Sequence, residues 1–167
     1  MKLALLALCL ANAAWTAPAV ILIVRHAEKA PLPADDPPLT SAGHARASEL
    51  VRVVQAWTAA GLPLRQLFAS EVKRTQQTLE PLAASANLRP SIVNAKDIAA
   101  LVQRILAVDG GIVVVAGHSN TVPALIQALG GPAGIAIADS EFDRLFAVTF
   151  AAGEARVVAL RYGATAP

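Results

Sequence analysis

The sequence predicts an α/β fold, a three-layer sandwich in which a mainly parallel sheet carries helices on both faces and ends in a C-terminal hairpin. Two apolar, largely β-branched runs, Val20–Val24 and Ile112–Ala116, are typical of strands buried on both faces of a parallel sheet. Between and after these two runs, segments with apolar residues at helical spacing alternate with shorter apolar runs. This alternation of helices and strands favours a sheet with helices on both faces. The 167 residues suffice for one such domain and are too few for two.

The first predicted helix follows the first strand. Apolar positions from Ala47 to Trp57 share one helical face, and Thr40 or Ser41 precedes them as an N-cap. Leu67–Ala69 then predicts a short strand, and the apolar stripe over residues 72–86 predicts a second helix.

The second half of the chain continues this alternation. It contains a predicted edge strand at 91–93, a helix with Ile98 to Ile105 inward, and a helix from Thr121 to Leu129 that stops at Gly130-Gly131. Two apolar runs around Gly153, at 145–150 and 155–160, predict the hairpin.

Residues 1–17 have the layout of a secretory signal peptide. Lys2 precedes an apolar run that leads to Ala11-Asn12-Ala13, so cleavage is expected after residue 13 or 17, leaving residues 18–167 as a single domain. A membrane anchor is the alternative, but polar residues and Pro18 interrupt the apolar stretch, and we expect no stable anchor. The prediction is therefore a periplasmic or secreted protein.

Composition excludes several classes of protein. The net charge is +2 with no long basic block, so nucleic acid is not an expected partner. The only cysteine is Cys9, inside the predicted signal peptide, which excludes a disulfide scaffold.

Histidines and arginines follow the predicted strands at their carboxyl ends. Arg25 and His26 come directly after the first buried strand, His118 follows the later one, and Arg74 opens a helix after a third. Ligands of open α/β sheets bind outside the carboxyl ends of the strands. Because arginine pairs with phosphate oxygens bidentately, this set predicts a site for a phosphoryl group.

Four motifs in this order resemble the histidine phosphatase superfamily, which includes the phosphoglycerate mutases. They are Arg25-His26-Ala27-Glu28, Leu39-Thr-Ser-Ala-Gly43, Ser70-Glu-Val-Lys-Arg74-Thr-Gln-Gln-Thr78 and Gly117-His118-Ser119, and the resemblance covers about Val20 to Leu129. It implies a phosphoglycerate mutase-like fold, with His26 as the nucleophile that forms a phosphohistidine. It further implies that Arg25, Arg74 and His118 bind the phosphoryl oxygens, and that no metal or cofactor is needed.

The general acid is left between two residues. The resemblance places a carboxylate some two dozen residues beyond Arg74, where Asp97 stands, but Asp97 is also where the N-cap of the following helix belongs. Glu71 is the alternative acid, although a glutamate beside a helix N-terminus is ordinary. Glu141, Asp143 and Arg144 either orient the site or lie in a solvated loop, and we expect the solvated loop.

These residues predict a metal-independent phosphatase that hydrolyses phosphomonoesters. Without the long insertions that cover the pocket in mutases, the site is expected to be open to a large or surface-bound phosphorylated substrate. The alternatives are a protein phosphohistidine phosphatase, which needs less help for its leaving group, and a noncatalytic phosphate-binding module. A metal hydrolase using His26 and His118 has no supporting ligand spacing.

Overall fold

Ten helices and strands follow one another in the computed structural model, which describes residues 17–164. The strands are β1 (Val20–Arg25), β2 (Leu64–Ala69), β3 (Ser91–Ile92), β4 (Ile112–Gly117), β5 (Arg144–Ala151) and β6 (Glu154–Arg161). The helices are α1 (Ser41–Ala59), α2 (Lys73–Ala86), α3 (Ile98–Leu106) and α4 (Thr121–Ala128). The predicted signal peptide, including Cys9, lies outside the described residues except for its last residue, Ala17. None of the helices in the described part is long and apolar enough to cross a membrane.

All six strands form one sheet in the order β3-β2-β4-β1-β5-β6. The first four of these run parallel, and β5 and β6 are added antiparallel as the C-terminal hairpin. The two apolar runs are neighbours, paired from Val20 with Ile112 to Arg25 with Gly117. This register brings the residues that follow β1 and β4 to the same point of the carboxyl end of the sheet.

Alternation of side chains along β1 divides the interior into two cores. Leu22 and Val24 point to the core beneath α1 and α2, which includes Leu50 and Leu79. Their neighbours Ile21 and Ile23 belong to the core beneath α3 and α4. The predicted three-layer architecture is therefore confirmed, and burial on both faces explains why β1 has no polar residue before Arg25 at its end.

The first helix is capped and placed by two residues of the second motif. Thr40 is the N-cap of α1, and its hydroxyl accepts a hydrogen bond from the amide of Gly43 at 3.1 Å. A Cβ on Gly43 would clash with the carbonyl oxygen of Glu28, so glycine allows α1 to approach the segment after β1. The motif thus fixes the distance between the helix and that segment.

The boundaries of β2, α2 and β3 differ from those predicted. Strand β2 begins at Leu64 rather than residue 67, because its first half is only partly buried and the sequence there includes Arg65. Helix α2 begins at Lys73, so Val72 is an N-cap position without a side-chain hydrogen bond. Strand β3 ends at Ile92, although the amide of Val93 still donates to the carbonyl oxygen of Ala69 at 3.0 Å.

Candidate active site

The paired ends of β1 and β4 place the two histidines side by side. The amide of His26 donates to the carbonyl oxygen of Gly117 at 2.8 Å, which fixes the backbone at this point. The rings of His26 and His118 then lie 5.4 Å apart between centroids, with their planes inclined by 62°. The structure thus brings together the two histidines that the sequence predicted for one site.

Helix α2 is attached to this point through the third motif. The hydroxyl of Thr78 accepts from the amide of Ala27 at 2.9 Å and donates to the carbonyl oxygen of Arg74 at 2.7 Å. This contact holds the first turn of α2 against the residue that follows His26. Arg74, which comes from a different strand-helix connection, is thereby placed with Arg25 and the histidines. The charges of both arginines accordingly lower the pKa values of His26 and His118.

One hydrogen bond determines the tautomer of His26. Its Nδ1 lies 2.8 Å from the carbonyl oxygen of Ala27, and because a carbonyl oxygen only accepts, Nδ1 carries the proton. The lone pair is therefore on Nε2. Burial lowers the pKa of His26 to about 3, helped by the charges of Arg25, His118 and Arg74 and opposed by this hydrogen bond. The ring is neutral at physiological pH and can act as a nucleophile.

Two hydroxyl groups determine the tautomer of His118. Thr75 Oγ1 lies 2.9 Å from the carbonyl oxygen of Val72 and 3.2 Å from that of Ser70, and its proton goes to one of these acceptors. The Ser70 hydroxyl then donates to Thr75 across 2.9 Å and accepts from Nε2 of His118 across 3.1 Å. Neutral His118 thus carries its proton on Nε2. Burial and the charges of Arg74 and Arg25 lower its pKa to about 4.

The loop before β5 holds the Arg25 guanidinium through Nη1, while its Nε has no hydrogen-bond partner. Its Nη1 donates to the carbonyl oxygens of Ala138, Asp139 and Glu141 at 2.8, 3.0 and 3.2 Å. The guanidinium also lies 4.3 Å from the ring centroid of Phe142. Among residues 17–164, Nε of Arg25 and Nε of Arg74 are buried without a hydrogen-bond partner. Buried N–H groups are almost always paired, so these two unpaired donors make the guanidinium groups candidates for binding an anion.

The same sheet and helix arrangement occurs in solved phosphatase structures. The protein histidine phosphatase SixA complexed with tungstate superposes with a TM-score of 0.64 at 20% identity, covering 85% of this chain and 96% of that one. The mycobacterial glucosyl-3-phosphoglycerate phosphatase complexed with VO3 gives 0.66 at 12%, covering 87% and 100%. The alpha-ribazole phosphatase from Shigella flexneri gives 0.61 at 14%, covering 85% and 96%. At these identities the likeness concerns the fold.

The family model of the histidine phosphatase superfamily (branch 1) matches residues 21–98, the part that carries Arg25, His26 and Arg74. This match covers slightly less than half of the chain, and over that part the chain is similar to the histidine phosphatase superfamily. No curated protein matches it by sequence. The resemblance seen in the four motifs is thereby confirmed, together with the phosphoglycerate mutase-like fold.

The two acid candidates, Asp97 and Glu71, have different surroundings. The Asp97 side chain caps α3, accepting from the amide of Ala100 at 2.9 Å, and is exposed. Glu71 lines a depression of about 580 Å³ together with Arg74 and His118, whereas Asp97 does not line it. The negative charge of Glu71 also opposes the lowering of the His118 pKa. The Glu71 side chain, unlike that of Asp97, therefore lines the same depression as Arg74 and His118.

The loop before β5 is anchored rather than solvated, so the expectation for Asp143 is wrong. Asp143 is 1% exposed, and its carboxylate accepts from Arg161 at 2.7 and 2.8 Å. Arg161 also reaches Glu141 at 3.1 Å. The predicted hairpin contained the signal for this contact, since pairing around Gly153 brings the residues before β5 next to the end of β6. Sequence reasoning missed both Arg161 and Phe142.

The charge set of the site favours an anion over a cation. Within the described part of the chain, no group of three or more histidine, cysteine, aspartate or glutamate residues is placed to hold a metal ion. The two guanidinium groups next to the imidazoles would repel a cation and attract a phosphoryl group. The geometry therefore suits binding of a tetrahedral oxyanion next to a neutral imidazole.

Proposed function

We propose that this chain is a metal-independent phosphatase that hydrolyses phosphomonoesters through a phosphohistidine on Nε2 of His26. The observation that carries this proposal is the hydrogen bond from Nδ1 to the carbonyl oxygen of Ala27, which leaves the Nε2 lone pair on a neutral ring. The unpartnered Nε atoms of Arg25 and Arg74 support it, because they supply donors for the phosphoryl oxygens next to this nucleophile.

The proposed reaction has two displacements at phosphorus. Nε2 of His26 attacks, the phosphorus–oxygen ester bond breaks, and the leaving oxygen takes a proton from the general acid. A water molecule then attacks the phosphohistidine, the phosphorus–nitrogen bond breaks, and its electron pair returns to Nε2. The proton lost by the water returns to the same carboxylate. Arg25, Arg74 and His118 bind the phosphoryl oxygens through both steps.

The test of this function is hydrolysis of 4-nitrophenyl phosphate by the full chain in the presence of a chelator. We expect turnover in the wild type and a loss of at least about a thousandfold in His26→Ala, because the covalent route is removed. His44→Ala, which changes an exposed histidine of α1, serves as the matched control. Turnover that survives in His26→Ala, or that the chelator abolishes, would contradict the proposal. Oxyanion binding without turnover would favour the noncatalytic module.

We propose Glu71 as the general acid, since it shares a depression with Arg74 and His118 while Asp97 caps α3. Glu71→Gln is expected to lower hydrolysis of an alkyl phosphate by about a hundredfold or more. It should have a much smaller effect on 4-nitrophenyl phosphate, whose leaving group needs no proton. Asp97→Asn, which keeps a capping side chain, is the comparison. A larger loss on the alkyl phosphate in Asp97→Asn than in Glu71→Gln would move the acid to Asp97.

A protein phosphohistidine phosphatase is the second candidate. It is favoured by the capping of α3 by Asp97, which occupies the carboxylate that the sequence places as acid. The fold of the protein histidine phosphatase SixA also matches over 96% of its length. This candidate would be supported if wild type and Glu71→Gln hydrolysed a phosphoramidate at the same rate and neither hydrolysed an alkyl phosphate.

Export to the periplasm or medium remains part of the proposal, and N-terminal sequencing of the mature protein tests it.

A further inference from the structure

A depression lined by two residues of the proposed phosphoryl site is also lined by a lysine. Arg74 and His118 line one part of it, and Lys96 and Asn120 line another. The Lys96 side chain is exposed. Within residues 17–164 it takes part in none of the salt bridges or side-chain hydrogen bonds, so its ammonium group is available to a ligand.

The turn that carries Lys96 is fixed by its own hydrogen bonds. The Asn94 side chain accepts from the amide of Lys96 at 2.9 Å, and the Asn94 carbonyl oxygen accepts from the amide of Asp97 at 2.9 Å. Glu71 Oε2 accepts from the amide of Ala95 at 2.8 Å, which attaches the turn to the start of α2. Lys96 therefore projects from a preorganised segment, which reduces the conformational entropy lost when a ligand binds there.

Charge in this depression is arranged for an anion with two negative groups. The charged residues that line it are Glu71, Arg74 and Lys96. Arg74 faces the phosphoryl group in the proposed reaction, and the Glu71 carboxylate accepts a hydrogen bond from the amide of Ala95. Lys96 is then a second positive charge in this depression, and none of the described salt bridges holds it.

We infer that Lys96 binds a second anionic group, a carboxylate or a second phosphate, on the leaving-group side of the substrate. This inference rests on the proposed phosphatase function and names its substrate class: a phosphomonoester whose leaving group is itself negatively charged. Lys96 is a specificity-determining residue, because it acts on the choice of substrate and not on the bonds that break.

The test compares three substrates with the same carbon chain: propyl phosphate, its analogue with a terminal carboxylate, and the propane bisphosphate. We expect the full-length wild type to prefer each anionic analogue over propyl phosphate in kcat/KM by about fivefold at low salt, after correction for the two phosphoryl groups of the bisphosphate. Lys96→Ala should bring the ratio to about one, and Lys96→Glu should invert it. Added salt should weaken the wild-type preference, because exposed charges are screened.

Lys73→Ala is the matched control, since Lys73 is an exposed lysine near the site that does not line this depression. Its substrate ratio should equal that of the wild type. Equal ratios in wild type and Lys96→Ala would overturn the inference, as would an equal change in Lys73→Ala. A preference for only one of the two anionic analogues would identify which group Lys96 binds.

The binding preference can be measured without turnover. Titration calorimetry of the three compounds gives their dissociation constants for His26→Ala and for His26→Ala/Lys96→Ala. The preference for the anionic analogues over propyl phosphate is then expressed as a ratio of dissociation constants. If the wild type hydrolyses none of the compounds, the proposed function fails, while the calorimetric ratio still decides the role of Lys96. A ratio of about one in His26→Ala would overturn the inference even if the wild type is an active phosphatase.

Discussion

His26 and His118 are neutral for the same physical reason but have opposite tautomers. A carbonyl oxygen keeps the proton of His26 on Nδ1, whereas the Ser70 hydroxyl keeps the proton of His118 on Nε2. His26 thus has its lone pair on Nε2, as a nucleophile requires. His118 has its free nitrogen at Nδ1, which can take up a proton when a phosphoryl oxygen approaches. Two identical residue types therefore serve different purposes through their hydrogen-bond partners.

Both histidines should make stability depend on pH. Their folded pKa values are about 3 and about 4, while an unfolded histidine titrates near 6.5. Below about pH 6.5 the unfolded chain therefore binds protons that the folded chain does not. The free energy of unfolding should fall as pH is lowered from about 6.5 towards 4, by up to about 1.4 kcal/mol per pH unit for each histidine.

Urea denaturation between pH 7 and 4.5 measures this dependence. His118→Gln should reduce the slope, because one of the two proton-binding differences is removed. His44→Gln, at an exposed position, is the control and should leave the slope as in the wild type. A slope that is identical in wild type and His118→Gln would contradict the assignment of the lowered pKa to His118.

At the scale of the element, Asp97 fixes the start of α3. This helix has nine residues, and Ile105 is its one buried residue in the described structure, so its stability depends on its ends more than that of a longer helix. Asp97→Ala is expected to lower the free energy of unfolding by about 1 kcal/mol, and Asp97→Asn by much less, because asparagine is also a good N-cap. Thermal unfolding of both variants measures the difference. Equal losses in the two variants would mean that the charge, and not the cap, is the stabilising feature.

The elements were predictable where burial is uniform and uncertain where it is partial. Strands β1 and β4 are buried along nearly their whole length, and their apolar runs specified them almost to the residue. Strand β2 is only half-buried at its start, so Arg65 and Gln66 interrupt the apolar run and conceal three residues. The edge strand β3 pairs on one side, which provides too few contacts for its sequence to mark where it ends.

At the scale of the molecule, an ion pair joins three distant segments. Arg46 of α1 binds the carboxylate of Glu28 at 2.7 Å and the carbonyl oxygens of Tyr162 and Ala164, each at 2.8 Å. The Arg46 side chain is 4% exposed. It thereby connects the segment after His26, the first helix and the residues that follow the last strand.

Removing this arginine should destabilise the whole molecule. Arg46→Met leaves Glu28 and two carbonyl oxygens without a partner, and we expect a loss of about 3 kcal/mol in the free energy of unfolding. Arg52→Met is the matched control in the same helix, because its ion pair with Glu49 is exposed and should contribute little. Chemical denaturation measures both. A loss in Arg46→Met no larger than that in Arg52→Met would contradict a connecting role for Arg46.

The site itself was predictable only for residues that follow strands. His26, His118, Arg25 and Arg74 are found by their positions at the ends of β1, β4 and β2, which the topology brings together. The loop that holds Arg25 gave no comparable signal, because it acts through the carbonyl oxygens of Ala138, Asp139 and Glu141, which every residue type possesses. The sequence therefore predicts the groups that would touch phosphate better than those that orient them.

The position of β1 in the sheet has a consequence for synthesis on the ribosome. This strand is made first, yet its two neighbours are β4 and β5, which follow only after β2, α2, β3 and α3 have emerged. A nascent chain that ends before residue 112 has neither partner for its most apolar strand and cannot assemble the central core. We therefore expect the nascent chain to lack its central core until residues 112–117 have emerged, and the carbonyl groups that bind Arg25 follow them in the chain.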